Sequence, residues 1–172
     1  MRAPKNTSAV TLIIALVAGP LFLSARALAA STGTVAATVT PMKISVSVTD
    51  GSVAYGTLDL SATKDTTSSG LNDTQTATND GNVAEDLNIE STDATGGTNW
   101  TLSATPGADQ YEHDFSTDSG TSWTPMTTSY ASLSTNVAAS GTKDFDLKIH
   151  TPTSSSDYTQ KSITVTVQAT QH

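Results

Sequence analysis

The side chains able to do chemistry are few in kind. The 172-residue chain holds three histidines (His113, His150 and His172), sixteen carboxylates, eight basic residues and no cysteine. Without cysteine there is no disulfide, no thiolate-bound zinc, no iron–sulfur cluster and no thiol nucleophile. A zinc site would need two histidines at a spacing such as i and i+2 or i and i+4, and no two of the three stand so. His113 lies between Glu112 and Asp114, but neighbours along a strand point to opposite faces, so a histidine packed beside Tyr111 or Trp123 is expected. Serine and aspartate are too common here for any Ser-His-Asp pairing to be informative, and no G-x-S-x-G elbow is present. No catalytic residue is therefore assigned. One turn does collect oxygen ligands of the type calcium takes: Asn79, Asp80, Asn82, Glu85 and Asp86. Their spacing is not that of an EF-hand loop. They are the calcium candidates, and no other metal or cofactor is expected.

The elements that must position these groups read as strands. Threonine occurs 32 times and serine 22 times, so 54 residues carry a small hydroxyl. Threonine favours strands, and both residues are poor in helix interiors. Apolar and polar residues alternate in Val35-Ala37-Val39, Met42-Ile44-Val46-Val48, Phe145-Leu147-Ile149 and Ile163-Val165-Val167-Ala169. Shorter runs surround Val53 to Leu60, Thr74 to Thr78 (a weak strand suited to an edge), Val83 to Ile89, Trp100 to Ala104, and Tyr111 to Phe115 with Trp123 and Met126 on its hairpin partner. Asp50-Gly51, Asn79 to Asn82 and Pro106-Gly107 punctuate them, and Ser61 to Asp73 reads as a mobile polar loop. About eight to ten short strands without a helical stripe predict an all-β fold. The expected architecture is an antiparallel two-sheet immunoglobulin-like β-sandwich, with a jelly roll as the alternative. Trp100 and Trp123 are expected in core or hairpin packing.

The first 29 residues read as a secretory signal peptide. Arg2 and Lys5 precede an apolar run from Ala9 to Leu23, and Ala27-Leu28-Ala29 supplies the small residues of a cleavage site. The run is short for a membrane span, and Gly19-Pro20 interrupts it. Residues 30–172 would then form one domain, located outside the cell, at its surface, or in the periplasm if the source has an outer membrane. The mature chain has five lysines, no arginine and all sixteen acids, a net charge of −11. Such a chain lacks the clustered cations that neutralise phosphates, so nucleic acid is not an expected partner. It also lacks the arginine forks that clamp anionic substrates. No membrane span is expected after cleavage.

Ser116-Thr117-Asp118-Ser119-Gly120-Thr121-Ser122-Trp123 resembles the Asp-box hairpin S-x-D-x-G-x-T-W, with serine at the seventh position. Ser116, Asp118, Gly120 and Trp123 are its structural residues: the carboxylate accepts backbone N–H bonds, glycine takes a positive φ, and tryptophan packs beneath. It occurs once, and the chain is too short for the propellers in which the hairpin repeats. Gly56-Thr57-Leu58-Asp59-Leu60 is similar to the G-T-L-D-L segment of TasA- and camelysin-type secreted proteins. Thr78 to Val83, then Leu87 and Ile89, then Trp100-Thr101-Leu102, resembles bacterial surface immunoglobulin-like modules, in which an N-x-G-N turn precedes a W-x-L strand. The resemblance covers about half of the mature chain. It implies an immunoglobulin-like fold and, because some of these proteins are fibre subunits, an extracellular structural role. The protease label sometimes attached to camelysin-like sequences would need a metal or nucleophile site that these residues do not supply. Trp100-Thr101-Leu102 also resembles cell-wall-binding W-x-L domains, but Ile163 to Gln168 lacks their second tryptophan.

The expected function is thus that of a secreted, non-catalytic surface protein acting by self-association or by binding other envelope or matrix proteins. Residues 30–40 are the candidate free or exchanging strand, with Val35, Ala37 and Val39 on one face. The alternative is a cell-wall or matrix glycan-binding module, for which Trp100, Tyr55 or Tyr130 would be the platform. Asn72 and Asn99 are glycosylation sequons if the source uses them.

Overall fold

The computed structural model describes residues 32–172, which contain ten β-strands and no helix. The expected signal peptide, residues 1–29, lies outside the described residues. The chain divides into two compact units, Met1–Thr38 and Val39–His172. Of the first, residues 32–38 are described; they are exposed and form no regular secondary structure.

The strands of the second unit are β1 (Val46–Thr49), β2 (Thr63–Asp65), β3 (Gln75–Asn79), β4 (Glu85–Ser91), β5 (Thr101–Leu102), β6 (Gln110–Ser116), β7 (Thr124–Pro125), β8 (Ala131–Val137), β9 (Thr142–His150) and β10 (Val165–Gln171). Seven of them make one sheet in the order β1-β3-β9-β6-β5, with β2 also on β9 and β7 also on β6. The other three make a second sheet in the order β10-β4-β8. Leu87 and Ile89 of β4 share one buried cluster with Ala77 of β3, Phe115 of β6, and Phe145 and Leu147 of β9. Met126, Leu133 and Val137 complete it. The two sheets therefore enclose a common core, which makes the fold a β-sandwich.

Period-two alternation explains the best-formed strands. In β4, Glu85, Leu87, Ile89 and Ser91 point inward and are buried, while Asp86, Asn88 and Glu90 do not. In β9, Phe145, Leu147 and Ile149 face the apolar core, and Asp146, Lys148 and His150 face the other way.

Several expectations are corrected. The larger sheet is mixed, because β5 pairs with β6 in parallel, Thr101 opposite Gln110 and Leu102 opposite Tyr111. The weak strand placed at an edge is β3, which lies between β1 and β9; Thr76 Oγ1 there donates to Asp144 of β9 at 2.7 Å. Ser61 to Asp73 is a built segment containing β2. Thr66 is fully buried, its N–H donates to the Leu147 carbonyl at 2.9 Å, and its hydroxyl donates to Asp146 Oδ1 at 3.0 Å. Polar bonds hold this loop, so its lack of apolar periodicity did not mean mobility. Residues 53–60 form no strand, although Val53, Tyr55, Leu58 and Leu60 are half-buried and Gly56 takes φ 76°. Residues 35–39 form none either.

Candidate functional site

The second unit contains a cleft of 1410 Å³ with a mixed apolar and polar lining. Its floor is the core face of β9, with Phe145, Leu147 and Ile149, together with His113 of β6. One wall is Val48 of β1 and the unpaired segment 51–60, including Val53, Tyr55 and Leu58. Val165 and Val167 of β10, together with Ile163, Trp100 and Tyr158, also line the cleft. Among the described residues β1 pairs only with β3, and β10 only with β4. No main-chain hydrogen bond ties residues 52–58 to another strand among the described residues. The cleft thus mixes apolar and polar lining and is bordered by main chain that lacks β partners among the described residues. Neither β10 nor β1 carries a charge or a proline, the usual devices that protect an edge.

His113 is 2% exposed and sits between two hydroxyls. Its Nε2 lies 3.0 Å from Tyr55 Oη and its Nδ1 lies 2.9 Å from Ser91 Oγ. Tyr55 packs edge-on to the imidazole and Tyr111 lies tilted beside it. Trp123 is not its neighbour; it lies on the opposite side of the larger sheet. Burial holds the imidazole neutral, with its pKa lowered to about 4. Burial also pushes the Tyr55 phenol far above its ordinary value and the Tyr111 phenol up to about 12. Ser91 is 1% exposed, so His113 meets it in the interior and reaches the cleft only through its own lining surface.

The calcium candidates do not converge. Glu85 and Asp86 are adjacent on β4 and face opposite ways. Glu85 is fully buried and accepts the Ser45 N–H at 2.8 Å. Asp86 instead accepts the Asn136 N–H at 2.8 Å and pairs with His172 Nδ1 at 2.8 Å. The two asparagine amides are used by the turn itself. Asn79 Nδ2 donates to the Val83 and Val137 carbonyls, its Oδ1 accepts the Gly81 N–H, and Asn82 Oδ1 accepts the Lys43 N–H. Asp80 is exposed, and its carbonyl accepts Lys43 Nζ. Among the described residues no group of three His, Cys, Asp or Glu is placed to hold a metal.

The hairpin has the expected internal bonding. Ser116 Oγ donates to Asp118 Oδ1 at 2.7 Å and accepts the Gly120 N–H at 2.9 Å. Asp118 accepts from the Ser122 N–H at 2.9 Å and the Ser122 hydroxyl at 2.7 Å. These donors hold its carboxyl down at about 2. Gly120 takes φ 81° against the Trp123 ring.

The three platform aromatics separate. Tyr55 turns its hydroxyl inward to His113, which removes it as an exposed platform. Trp100 is half-buried, donates from Nε1 to Ser155 Oγ at 3.1 Å, and lies under Lys161 Nζ at 5.3 Å. Tyr130 is 41% exposed at the start of β8, away from the cleft. The cleft residue that sequence reasoning missed is Tyr158, 81% exposed in a polar stretch without periodicity. The sequons Asn72 and Asn99 are both exposed. His150 lies 3.7 Å from Glu112.

No family model, curated protein or solved structure matches this chain.

Proposed function

We propose that this chain is an exported, non-catalytic structural subunit that assembles by lending its N-terminal strand to the cleft of a second copy. The observation that carries the reading is the match between the segment and the cleft. Val35 and Val39 are 93% and 89% exposed, and Ala37 between them is exposed too. As a strand, these three residues would present one apolar face over roughly 13 Å. Ile163, Val165 and Val167 line the cleft with the same period of two. The free main chain of β10 and of residues 52–58 could take up the incoming N–H and C=O groups, as in strand addition. Lending at one end and receiving elsewhere is a head-to-tail contact, which propagates when it does not close. The mature charge of −11 opposes association, so assembly should strengthen as salt screens it. Immunoglobulin-like topology and placement in an extracellular matrix belong to this same reading, and are favoured by the resemblances of the G-T-L-D-L and W-x-L segments.

The test is negative-stain microscopy with light scattering on residues 30–172, on a deletion of residues 30–38, and on a Val35→Asp, Val39→Asp double variant. Filaments or oligomer ladders should appear for the first and be absent for the other two, which should remain soluble and folded. Filaments that persist in the deletion would refute strand lending. A monomer at high concentration whose tryptophan emission shifts on adding cell-wall glycan would replace this reading with the glycan-binding one.

A further inference from the structure

The larger sheet is covered on both faces at its centre, along strands β6 and β9. Behind the apolar core, its reverse face carries Glu112, Asp114 and Ser116 of β6 directly opposite His150, Lys148 and Asp146 of β9. The 61–73 loop and the 116–126 hairpin flank this layer: Thr66 bonds Asp146, and the Trp123 ring lies 4.8 Å from Lys148 Nζ. At its centre Lys148 Nζ lies 2.6 Å from Asp114 Oδ2, with the Asp114 side chain 2% exposed. The second carboxylate oxygen, Asp114 Oδ1, is buried without a hydrogen-bond partner. A carboxylate that is to remain an ion does not ordinarily leave a buried oxygen unpaired. Glu112 stands two residues along the same face, and burial, then the Asp114 charge, push its carboxyl above the ordinary range.

We propose that Lys148 and Asp114 become joined by an amide bond, formed by the folded chain itself with Glu112 as the proton relay. Close packing puts the amine and the Asp114 Cγ within van der Waals reach, and the two strands hold them there. The lysine ammonium first passes a proton to the Asp114 carboxylate, leaving a neutral amine and a neutral acid. Nζ then attacks Cγ and the Nζ–Cγ bond forms. Protonated Glu112 gives its proton to the departing oxygen and recovers one from Nζ. The Cγ–O bond breaks and water leaves. One ammonium and one carboxylate become one amide and one water, with no oxidant, metal or added reactant. The product would cross-link the two central strands of a sheet that has no cysteine to do so. It also removes the charge of a buried carboxylate together with that of a partly exposed ammonium.

Intact mass and a tryptic map of the purified, folded chain test this. The mass should be lower than the sequence requires by one water, about 18 Da. Trypsin does not cut after an acylated lysine, so the peptide running from Asp144 to Lys148 should be missing from the digest of denatured protein. Glu112→Gln should fold, judged by its circular dichroism, and show the full mass with that peptide restored. A wild-type chain with the full mass and the free peptide would overturn the proposal. Water loss that persists in Glu112→Gln would overturn the relay role of Glu112.

Discussion

His113 should make this fold sensitive to mild acid. Its ring faces Tyr55, Ser91 and Tyr111, none of which offers a negative charge to a protonated imidazole. In the folded chain it titrates at about 4, against 6.5 for the free side chain. The unfolded chain therefore takes up a proton first as pH falls. The stabilisation is complete above about pH 6.5, declines between there and about pH 4, and is exhausted below. A difference of about 2.5 units at 1.36 kcal/mol each corresponds to roughly 3 kcal/mol, a sizeable share of a typical domain stability. With a urea slope of roughly 1–3 kcal/mol/M, the unfolding midpoint should fall by about 1–3 M between pH 7.5 and pH 4.5. Asp118, held down near 2, loses its contribution at lower pH, so the two windows are separate. Glu112, shifted upward, acts with the opposite sign and can only reduce the drop. The assay is urea unfolding followed by tryptophan emission at both pH values, for wild type and for His113→Gln. The variant should be weaker at neutral pH and nearly flat across the window. A wild type with the same midpoint at both pH values would refute the reasoning, as would a variant that keeps the full drop.

The buried phenols should resist base: of the four tyrosines, Tyr55 and Tyr111 should stay un-ionised in an ultraviolet titration until the fold opens, and stability should fall above about pH 10 as the unfolded chain ionises first. Four tyrosines titrating normally in folded protein would contradict the packing around His113. Leu87→Ala, at a fully buried site on β4, should cost about 2–5 kcal/mol in denaturant unfolding. Gly120→Ala should cost about 1–3 kcal/mol, because alanine is strained at φ 81° and its Cβ would meet Thr67 Cγ2 at 2.7 Å. A chelator, or added calcium, should leave the Tm unchanged, since Asp86 is turned away from Glu85 and engaged by His172; a shift of several degrees would show that the turn coordinates metal after all.

Legibility in the sequence followed the source of each element's stability. Strands β4, β9 and β10 are held by a simple alternating pattern and were readable from it. Strand β8 was not, because its register against β4 shifts at two places and Asn136 takes φ 53°, which breaks the period of two. Strand β2 was hidden because hydroxyls and carboxylates anchor its surroundings. The hairpin around Asp118 was legible residue by residue, since the bonds that Asp118 makes are local. The carboxylates proposed for calcium, Glu85 and Asp86, separate for the converse reason. Proximity along a strand says little when successive side chains point apart. The cleft belongs to neither kind. Residues 51–60 and β10 both line it, and no local pattern states which edges will be left open.

The contacts around Lys161 have a consequence for the settings in which the fold can persist. Its ammonium, with a side chain 6% exposed, is held 2.5 Å from the Gly96 carbonyl, 2.6 Å from the Thr98 carbonyl and 2.6 Å from Asp157 Oδ2. Asp157 also accepts from Thr159 and from the Thr98 N–H at 2.6 Å, and the Lys161 ammonium, then Thr159, keep its carboxyl well below the usual range. A cage of two carbonyls and a carboxylate is the kind of site that many extracellular domains fill with an ion drawn from their surroundings. Here the filler is covalently attached. It cannot be diluted, chelated or exchanged, and a shielded pair of this kind responds weakly to salt. This junction should hold equally well in seawater, in rain and in a calcium-starved culture.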